Sequence, residues 1–292
     1  MKKKFTVLAL AFAMIFTLLA FTACGGGDSA DSGDSGDAEA AESQYGEGFE
    51  FKHGYDKDFP PYSYIGNDGN TTGIDVELAQ AVCEYYGWTY VGVPINWDAK
   101  EAELESGSID CIWSGFTKSP AREDKFAWSE PYSSNTIKIM VPEGSDIKGK
   151  ADLAGKKVGL QGGTSAQELC ETAEADGGCL ELAQTFDGGE PLKYDTYAVA
   201  VNDLVAGAID AIAIDVTTGK FQMNNVEGLT MLDDDLCSEI YAIGFRTGDT
   251  ELRDMVNEGL KALAENGKMK EIAQKEEYSD IYKYLTMINT EE

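Results

Sequence analysis

The hydrophobic pattern of the chain alternates between short apolar runs and segments of helical period, beginning near Phe49. Runs predicted as strands are 49–55, 88–93, 109–113, 135–141, 158–160 and 239–246. A helix is predicted from Gly73-Ile74-Asp75, with Asp75 interpreted as its N-cap. Two further amphipathic helices are predicted at about 250–265 and 267–275. Strands that alternate with helices are typical of an α/β fold.

One sequence pattern occurs twice, 100 positions apart. Leu104–Ile112 and Leu204–Ile212 share the pattern L-x-x-G-x-I-D-x-I, which predicts the end of a helix, a glycine stop and a buried strand. One strand leads into Ser114-Gly115 and the other into Ile214-Asp215. Any helix–strand unit has some of these features, but the matched order favours two similar lobes that share a cleft.

The first 48 residues have a pattern of export and tethering. Residues 1–23 combine a basic start with an apolar run, which is typical of an export signal, with a single membrane-spanning helix as the alternative. Thr22-Ala23-Cys24 before a glycine resembles the lipobox of bacterial lipoproteins, in which Cys24 would carry a lipid anchor. Residues 24–48, rich in Gly, Ser and acids, are predicted to be a disordered acidic tether.

Charge and residue usage exclude several classes of function. A formal net charge of −29 argues against nucleic acid and anionic lipid as partners. His53 is the chain's one histidine, so zinc sites and Ser-His-Asp catalysis lose support. The Gly162-Gly163-Thr164-Ser165 turn is suited to an anion, but no Gly-Lys-Ser/Thr follows it, which argues against a nucleotide. We expect no metal and no cofactor.

The turn after the 109–113 strand is a candidate carboxylate site. Ligands of α/β sheets bind beyond the carboxyl ends of strands. Gly115 lets backbone N–H groups approach an anion, and Arg122 can hold a carboxylate with two parallel hydrogen bonds. A surface turn with a solvated arginine is the alternative interpretation.

Several motifs of this chain, and the order in which they occur, resemble those of the bacterial extracellular solute-binding proteins of family 3. Proteins of that family serve polar amino-acid ABC transporters. The resemblance runs from about Phe49 to Tyr284. Its motifs are Asp56-x-x-Phe59-Pro60-Pro61-Tyr62, Gly73-Ile74-Asp75-Val76-Glu77-Leu78-Ala79, Trp97-Asp98, Gly107-x-Ile109-Asp110, Ser114-Gly115-x-Thr117-x-x-x-x-Arg122, Ser129-Glu130-Pro131-Tyr132, Asp152-Leu153-x-Gly155-Lys156-x-Val158-Gly159 and Ile209-Asp210-Ala211.

The resemblance implies a type II periplasmic-binding-protein fold, with two α/β lobes joined by hinge strands near 135–141 and 239–246. Lobe 1 would comprise 49–138 and 239–292, and lobe 2 would comprise 139–238. The implied protein is a monomeric, lipid-anchored receptor that captures a polar L-amino acid outside the cytoplasm and delivers it to an ABC transporter permease. It is not implied to be an enzyme.

The resemblance also implies a ligand-binding set. Arg122 would pair with the ligand α-carboxylate, assisted by the Thr117 backbone N–H and by Ser165. Asp215 would accept the α-ammonium group, with Gly115 or Ser114 assisting. The whole set is Asp56, Phe59, Trp97, Ser114, Gly115, Thr117, Arg122, Thr164, Ser165 and Asp215.

Ligand preference follows from three members of this set. Phe59 and Trp97 would hold the aliphatic part of the ligand between them. Asp56 matches a position that in some relatives touches a polar or cationic side chain, so we expect glutamine, cystine or a basic amino acid to be preferred over glutamate. Two alternatives use the same fold, namely an enzyme resembling cyclohexadienyl dehydratase and an extracytoplasmic sensor domain.

The chain departs from the family pattern in two respects. Lys100-Glu101 stand where the family usually has apolar residues, so we expect the helix there to be less buried or to dock differently. Cysteines are also more numerous than such proteins need. Cys170 and Cys179 flank two glycines and could close a short disulfide loop, which would leave Cys237 over.

Overall fold

The computed structural model of the chain describes residues 43–278 and 280–289. The predicted export signal, the lipid site at Cys24 and residues 25–42 of the predicted tether lie outside the described residues. Residues 43–48 were also predicted as tether, but they form turns that pack on the folded part. Tyr45 is buried, and its carbonyl accepts a 2.8 Å hydrogen bond from Trp88 Nε1. The composition of this segment did not indicate that one aromatic residue would dock.

The described chain forms two five-stranded sheets and one small sheet, covered by helices. The strands are β1 (Glu50–Tyr55), β2 (Asp58–Phe59), β3 (Ser63–Ile65), β4 (Thr71–Thr72), β5 (Thr89–Pro94), β6 (Cys111–Ile112), β7 (Ala127–Trp128), β8 (Ser133–Pro142), β9 (Val158–Gln161), β10 (Leu192–Tyr194), β11 (Ala211–Asp215), β12 (Leu229–Tyr241) and β13 (Gly244–Phe245). The α-helices are α1 (Ile74–Tyr86), α2 (Lys100–Glu105), α3 (Ser165–Glu171), α4 (Leu180–Ala183), α5 (Tyr197–Val205), α6 (Val216–Asn225), α7 (Thr250–Glu265) and α8 (Lys268–Ala273).

The two larger sheets share one topology over four strands. The first has the order β5-β1-β6-β13-β7 and the second has the order β10-β9-β11-β8-β12. Each begins with three parallel strands, and an antiparallel strand follows, β13 beside β6 and β8 beside β11. The repeated sequence pattern falls at matching places, on α2–β6 and on α5–β11. The predicted two-lobed α/β architecture is confirmed.

The chain passes between the two sheets twice. β7 of the first sheet leads into β8 of the second, and β12 of the second leads into β13 of the first. β8 and β12 pair with each other in antiparallel register. The prediction of a single strand at 239–246 was wrong, because the apolar run continues through Ala242-Ile243 while the chain changes sheets.

Helix packing on the first sheet follows the predicted amphipathic faces. α1 packs against α7 and α8, and residues such as Leu78, Val82 and Val256 are buried completely or nearly so. Burying each of these side chains contributes roughly 1.5–3 kcal/mol. No helix among the described residues is both long enough and apolar enough to cross a membrane.

The Cys170 and Cys179 sulfurs lie 3.7 Å apart, both buried, and they are not bonded in this structure. In an oxidising compartment we expect them to form a disulfide, because a small side-chain rotation brings the sulfurs together. Closing so short a loop contributes about 2–3 kcal/mol in the chain-entropy model. A reductant should therefore lower the melting temperature of the exported protein and leave that of a Cys170→Ser/Cys179→Ser variant unchanged. Equal melting temperatures with and without reductant in the native chain would contradict the bridge.

Candidate ligand-binding site

The carboxyl ends of the parallel strands of both sheets meet at one cleft. β1 leads to Asp56, β5 to Trp97 and β6 to Ser114-Gly115. In the second sheet, β9 leads to the turn before α3, and β11 ends on Asp215. This is the edge at which an α/β sheet offers polar groups to a ligand.

Eight of the ten predicted site residues line one small cavity of about 10 Å³, which has room for about one water molecule. They are Phe59, Trp97, Gly115, Thr117, Arg122, Thr164, Ser165 and Asp215. The other two lie beside it. Asp56 lines a neighbouring cavity of about 400 Å³, and Ser114 lies behind the wall, where its hydroxyl accepts from the Asp56 N–H (3.2 Å).

One side of the small cavity is cationic. The Arg122 side chain is buried over the Phe116 ring, 5.2 Å from its centroid, and Nη1 donates to the Thr117 carbonyl (3.3 Å). Arg122 Nε pairs with Glu168 Oε2 at 3.1 Å, a contact between the two lobes. Burial lowers the pKa of Arg122 and Glu168 opposes this, so the guanidinium stays charged. It is positioned to bind a carboxylate.

The opposite side is anionic. Asp215 is 3% exposed, and its Oδ1 accepts from Asn135 Nδ2 (2.8 Å) and from the Tyr241 hydroxyl. Among the described residues, no donor reaches the buried Asp215 Oδ2 with good hydrogen-bond geometry, although the buried Tyr197 hydroxyl also interacts with this carboxyl group. Burial raises the pKa of Asp215 to about 7, and the nearby charge of Glu239 contributes in the same direction. A buried carboxylate oxygen without a donor is costly, so this atom is suited to a ligand N–H.

The aromatic wall requires a glycine at position 115. Phe59 stacks on Tyr62 with ring centroids 5.6 Å apart, and Trp97 meets Phe116 edge-on at 5.7 Å. Gly115 has a φ of 54°, and a Cβ there would lie 2.6 Å from the Phe59 ring. Any larger residue would therefore displace the aromatic ring that lines the cavity.

Asp75 is not the helix N-cap that the sequence analysis predicted. Gly73 occupies that position, and the Asp75 side chain turns into the protein. Its Oδ2 accepts from the Gly115 N–H (2.7 Å) and from the Tyr132 hydroxyl (2.8 Å). Burial raises its pKa to about 7. Asp75 thus positions the Gly115 turn from behind.

The helix that begins at Lys100 was expected to be less buried or to dock differently, and the lysine itself is buried. It is 5% exposed, its Nζ lies 4.9 Å from the Trp97 ring centroid, and it donates to the carbonyls of Trp97 and Gly163, each at 3.0 Å. Gly163 belongs to the second lobe. Burial, with Arg122 nearby, lowers the pKa of Lys100 to about 8. The long aliphatic stem lets this charged residue fill an apolar position.

Three further hydrogen bonds of the cleft were missed by the sequence analysis. Asp56 Oδ2 accepts from Gln161 Nε2 of the other lobe (2.7 Å), and burial raises the pKa of Asp56. Glu239 accepts from Thr117 Oγ1 (2.9 Å) and from Asn135 Nδ2 (2.6 Å). Gln161 ends a strand directly before the recognised glycine turn, which was a usable signal. Asn135 and Glu239 lie within ordinary strand patterns.

Within residues 43–278 and 280–289, no group of three or more His, Cys, Asp or Glu side chains could hold a metal ion. His53 is completely buried in β1, where its ring nitrogens contact the Trp113 carbonyl and the Tyr90 hydroxyl. Burial lowers the pKa of His53 to about 4, so this ring is neutral at physiological pH. His53 therefore carries no charge there, and it is not among the residues that line the small cavity.

The fold and the paired charges define a two-lobed α/β binding protein with its site between the lobes. The chain belongs to the bacterial extracellular solute-binding proteins, family 3, whose model matches residues 51–276. It is 29% identical over 233 residues to the L-cystine-binding protein TcyJ of Escherichia coli strain K12, covering 79% of this chain and 83% of that protein. It is 27% identical over 277 residues to the arginine-binding extracellular protein ArtP of Bacillus subtilis strain 168, covering 94% and 97%.

A solved structure shows the same architecture. An ABC uptake transporter substrate-binding protein from Streptococcus pneumoniae with bound histidine matches with a TM-score of 0.72 and 33% identity, covering 77% of this chain and 91% of that chain. The relatives named here are amino-acid-binding proteins, which establishes a solute-binding class for this chain.

The hydrogen bond from Lys100 Nζ to the Gly163 carbonyl joins the two lobes, so it should stabilise the closed form. Lys100→Met keeps the length of the side chain but removes its bond to the Gly163 carbonyl, so the closed form should lose about 1–3 kcal/mol. Small-angle scattering should show a larger radius of gyration than for the native chain. Lys261→Met, at a position where the side chain is 73% exposed, is the matched control. Identical scattering from the two variants would contradict a closing role for Lys100.

Proposed function

We propose that this protein captures a polar L-amino acid between its lobes and delivers it to an ABC transporter permease. The observation that carries the proposal is a pair of opposite charges, Arg122 and Asp215, buried in one small cavity. Only a ligand that carries both an anionic and a cationic group complements both sides. The α-carboxylate and α-ammonium groups of an amino acid have that arrangement.

Nine of the ten predicted site residues have a role at the main-chain groups or the aliphatic part of the ligand. Arg122 binds the α-carboxylate, assisted by the Thr117 N–H and by Ser165. Thr164 lines the same side of the small cavity. Asp215 Oδ2 accepts from the α-ammonium group, supplying the buried acceptor that lacks a donor. Phe59 and Trp97 cover the aliphatic part of the ligand, while Ser114 and Gly115 form the turn between the two charged sides.

The charge of the cleft supports a ligand side chain that is not acidic. The cleft contains two buried cations, Arg122 and Lys100, and four carboxyl groups, those of Asp56, Glu168, Asp215 and Glu239. A glutamate side chain would add another anion among them. We therefore propose glutamine, cystine or a basic amino acid as the ligand class, in line with the cystine, arginine and histidine of the relatives.

The proposed setting is the outer face of the cell membrane. The resemblance of residues 22–24 to a lipobox supports lipid attachment at Cys24, and the apolar run before it supports export. The protein would act as a lipid-anchored monomer. Binding rather than catalysis is supported by His53, which is buried in β1 with both ring nitrogens in contact with protein groups and is not a lining residue of the cleft cavity.

The proposal is tested by calorimetric titration of residues 43–292 with an L-amino-acid panel. Arg122→Lys keeps the charge but loses the two parallel hydrogen bonds of the guanidinium group. The binding free energy of every amino acid should therefore become less favourable by about 2–3 kcal/mol. Lys125→Arg, which alters an exposed cation on the same segment, should bind as the native chain does. If no amino acid binds the native protein, the proposed function is incorrect.

Binding should also depend on pH through Asp215. Its ionised form binds the ammonium group, and its pKa in the free protein is about 7, so protonation below that pH competes with the ligand. Affinity should be full above about pH 7.5 and should fall toward tenfold per pH unit as the pH drops to about 5.5. Asp215→Asn should bind weakly and should lose most of this pH dependence. A flat profile for the native protein would show that Asp215 does not contact the ammonium group.

A further inference from the structure

Two buried cations of the first lobe share one acceptor in the second lobe. Lys100 Nζ donates to the Gly163 carbonyl at 3.0 Å, and Arg122 Nη2 donates to the same oxygen at 3.5 Å. Burial lowers the pKa of Lys100 to about 8, and the charge of Arg122 contributes to this shift. The lysine is therefore still mostly charged at pH 7. Two buried positive charges so close together are unfavourable unless anions join them.

One of the two cations already has an anionic partner. Glu168 Oε2 lies 3.1 Å from Arg122 Nε. Glu168 lines a neighbouring cavity of about 580 Å³ and is not a lining residue of the small cavity, to which Arg122 belongs. The Glu168 carboxylate thus reaches the guanidinium group from outside the small cavity. It can remain paired with Arg122 while a ligand carboxylate binds inside.

The other cation, Lys100, has no such partner. No ion pair of the described chain includes Lys100, and its two hydrogen bonds go to backbone carbonyls. The acids beside it in the sequence are Asp98, which is exposed, and Glu101, whose side chain is 44% exposed, so water screens both charges. A buried charge without a paired anion is costly. One positive charge is therefore unbalanced on this side of the cleft.

We propose that Lys100 is the second cation of the α-carboxylate site and that its charge balances the carboxylate of the ligand. Because Arg122 is paired with Glu168, a bound carboxylate beside an apolar residue 100 would leave this side of the cleft with one unbalanced negative charge. With Lys100 present, two cations meet two anions. The lysine acts through its charge rather than by contact, since it does not line the small cavity.

This inference rests on the proposed function and deepens it. It gives a role to a lysine that stands where the family pattern usually has an apolar residue. It also separates two effects of the same side chain. The hydrogen bond to Gly163 joins the lobes for any ligand, whereas the charge favours only a ligand with an α-carboxylate.

The test measures the preference for a carboxylate over a carboxamide at the α position. L-glutamine, L-arginine and L-cystine are titrated by calorimetry at pH 7, each beside its α-carboxamide analogue. The affinity ratio of the two forms is then compared between variants, for each amino acid that binds the native protein. Lys100→Met should weaken both forms through the lost interlobe bond. It should also lower the ratio by about tenfold, because only the carboxylate interacts with the missing charge.

Two further variants control for charge and position. Lys100→Arg retains the charge and should keep most of the ratio. Lys125→Met removes an exposed cation from the Arg122 segment and should leave the ratio unchanged, because water screens that charge.

Glu168 provides the opposite change. Glu168→Gln removes an anion beside Arg122, so the ratio should rise by about threefold, less than the Lys100 effect because the Glu168 side chain is 23% exposed. The double variant Lys100→Met/Glu168→Gln restores the balance of charges. Its ratio should therefore return to within about threefold of the native value.

The outcomes separate charge from structure. A purely structural role for Lys100 would weaken the carboxylate and carboxamide forms equally, and an unchanged ratio in Lys100→Met would overturn the inference. So would a lowered ratio in Glu168→Gln, or a double variant whose ratio stays at the Lys100→Met value. A native protein that binds no amino acid would instead overturn the proposed function.

Discussion

The arrangement of the cleft depends on one buried carboxylate, Asp215. Its side chain ends a central strand of the second sheet, and the fold places it out of contact with solvent, beside the charge of Glu239. Asn135 and Tyr241 satisfy one oxygen and leave the other without a donor. Such a group is costly to bury, so a cation that reached this oxygen would relieve a local destabilisation. The position of every other cleft residue can be understood relative to that oxygen.

The two lobes supply different parts of this arrangement. The first lobe presents Arg122 and the aromatic wall, and the second presents Asp215, so neither lobe alone can hold a zwitterion. The lobes are held together by individual bonds such as Gln161 to Asp56, Lys100 to Gly163 and Thr217 to Tyr62. Each is worth about 1 kcal/mol net, more where a charge takes part. A ligand that bridged both lobes would add bonds of the same size across the cleft, and it could thereby shift an equilibrium between open and closed forms.

The sequence predicted those parts of the site that local patterns mark. Strand ends, glycine turns and the repeated helix–strand unit identified Gly115, Arg122 and Asp215, which line one cavity. It did not predict Lys100 or Glu239, because their roles depend on partners far away in the chain, at Gly163 and Thr117. An isolated lysine in a polar helix indicates exposure, and burial over Trp97 appears only once the lobes meet. Asp75 was misinterpreted for a similar reason, since its partner is the Gly115 turn.

The two cavities beside the amino-acid corner differ in the groups that line them. The cavity of about 400 Å³ contains Asp56, whose Oδ1 accepts from the Asp58 N–H and whose Oδ2 accepts from Gln161 of the other lobe. The cavity of about 580 Å³ is lined by Asn135 and Glu239, which bond to each other and to Asp215 and Thr117. Both cavities are therefore lined by groups that also hold the amino-acid corner in place, so a change at either one acts on the charged pair between them.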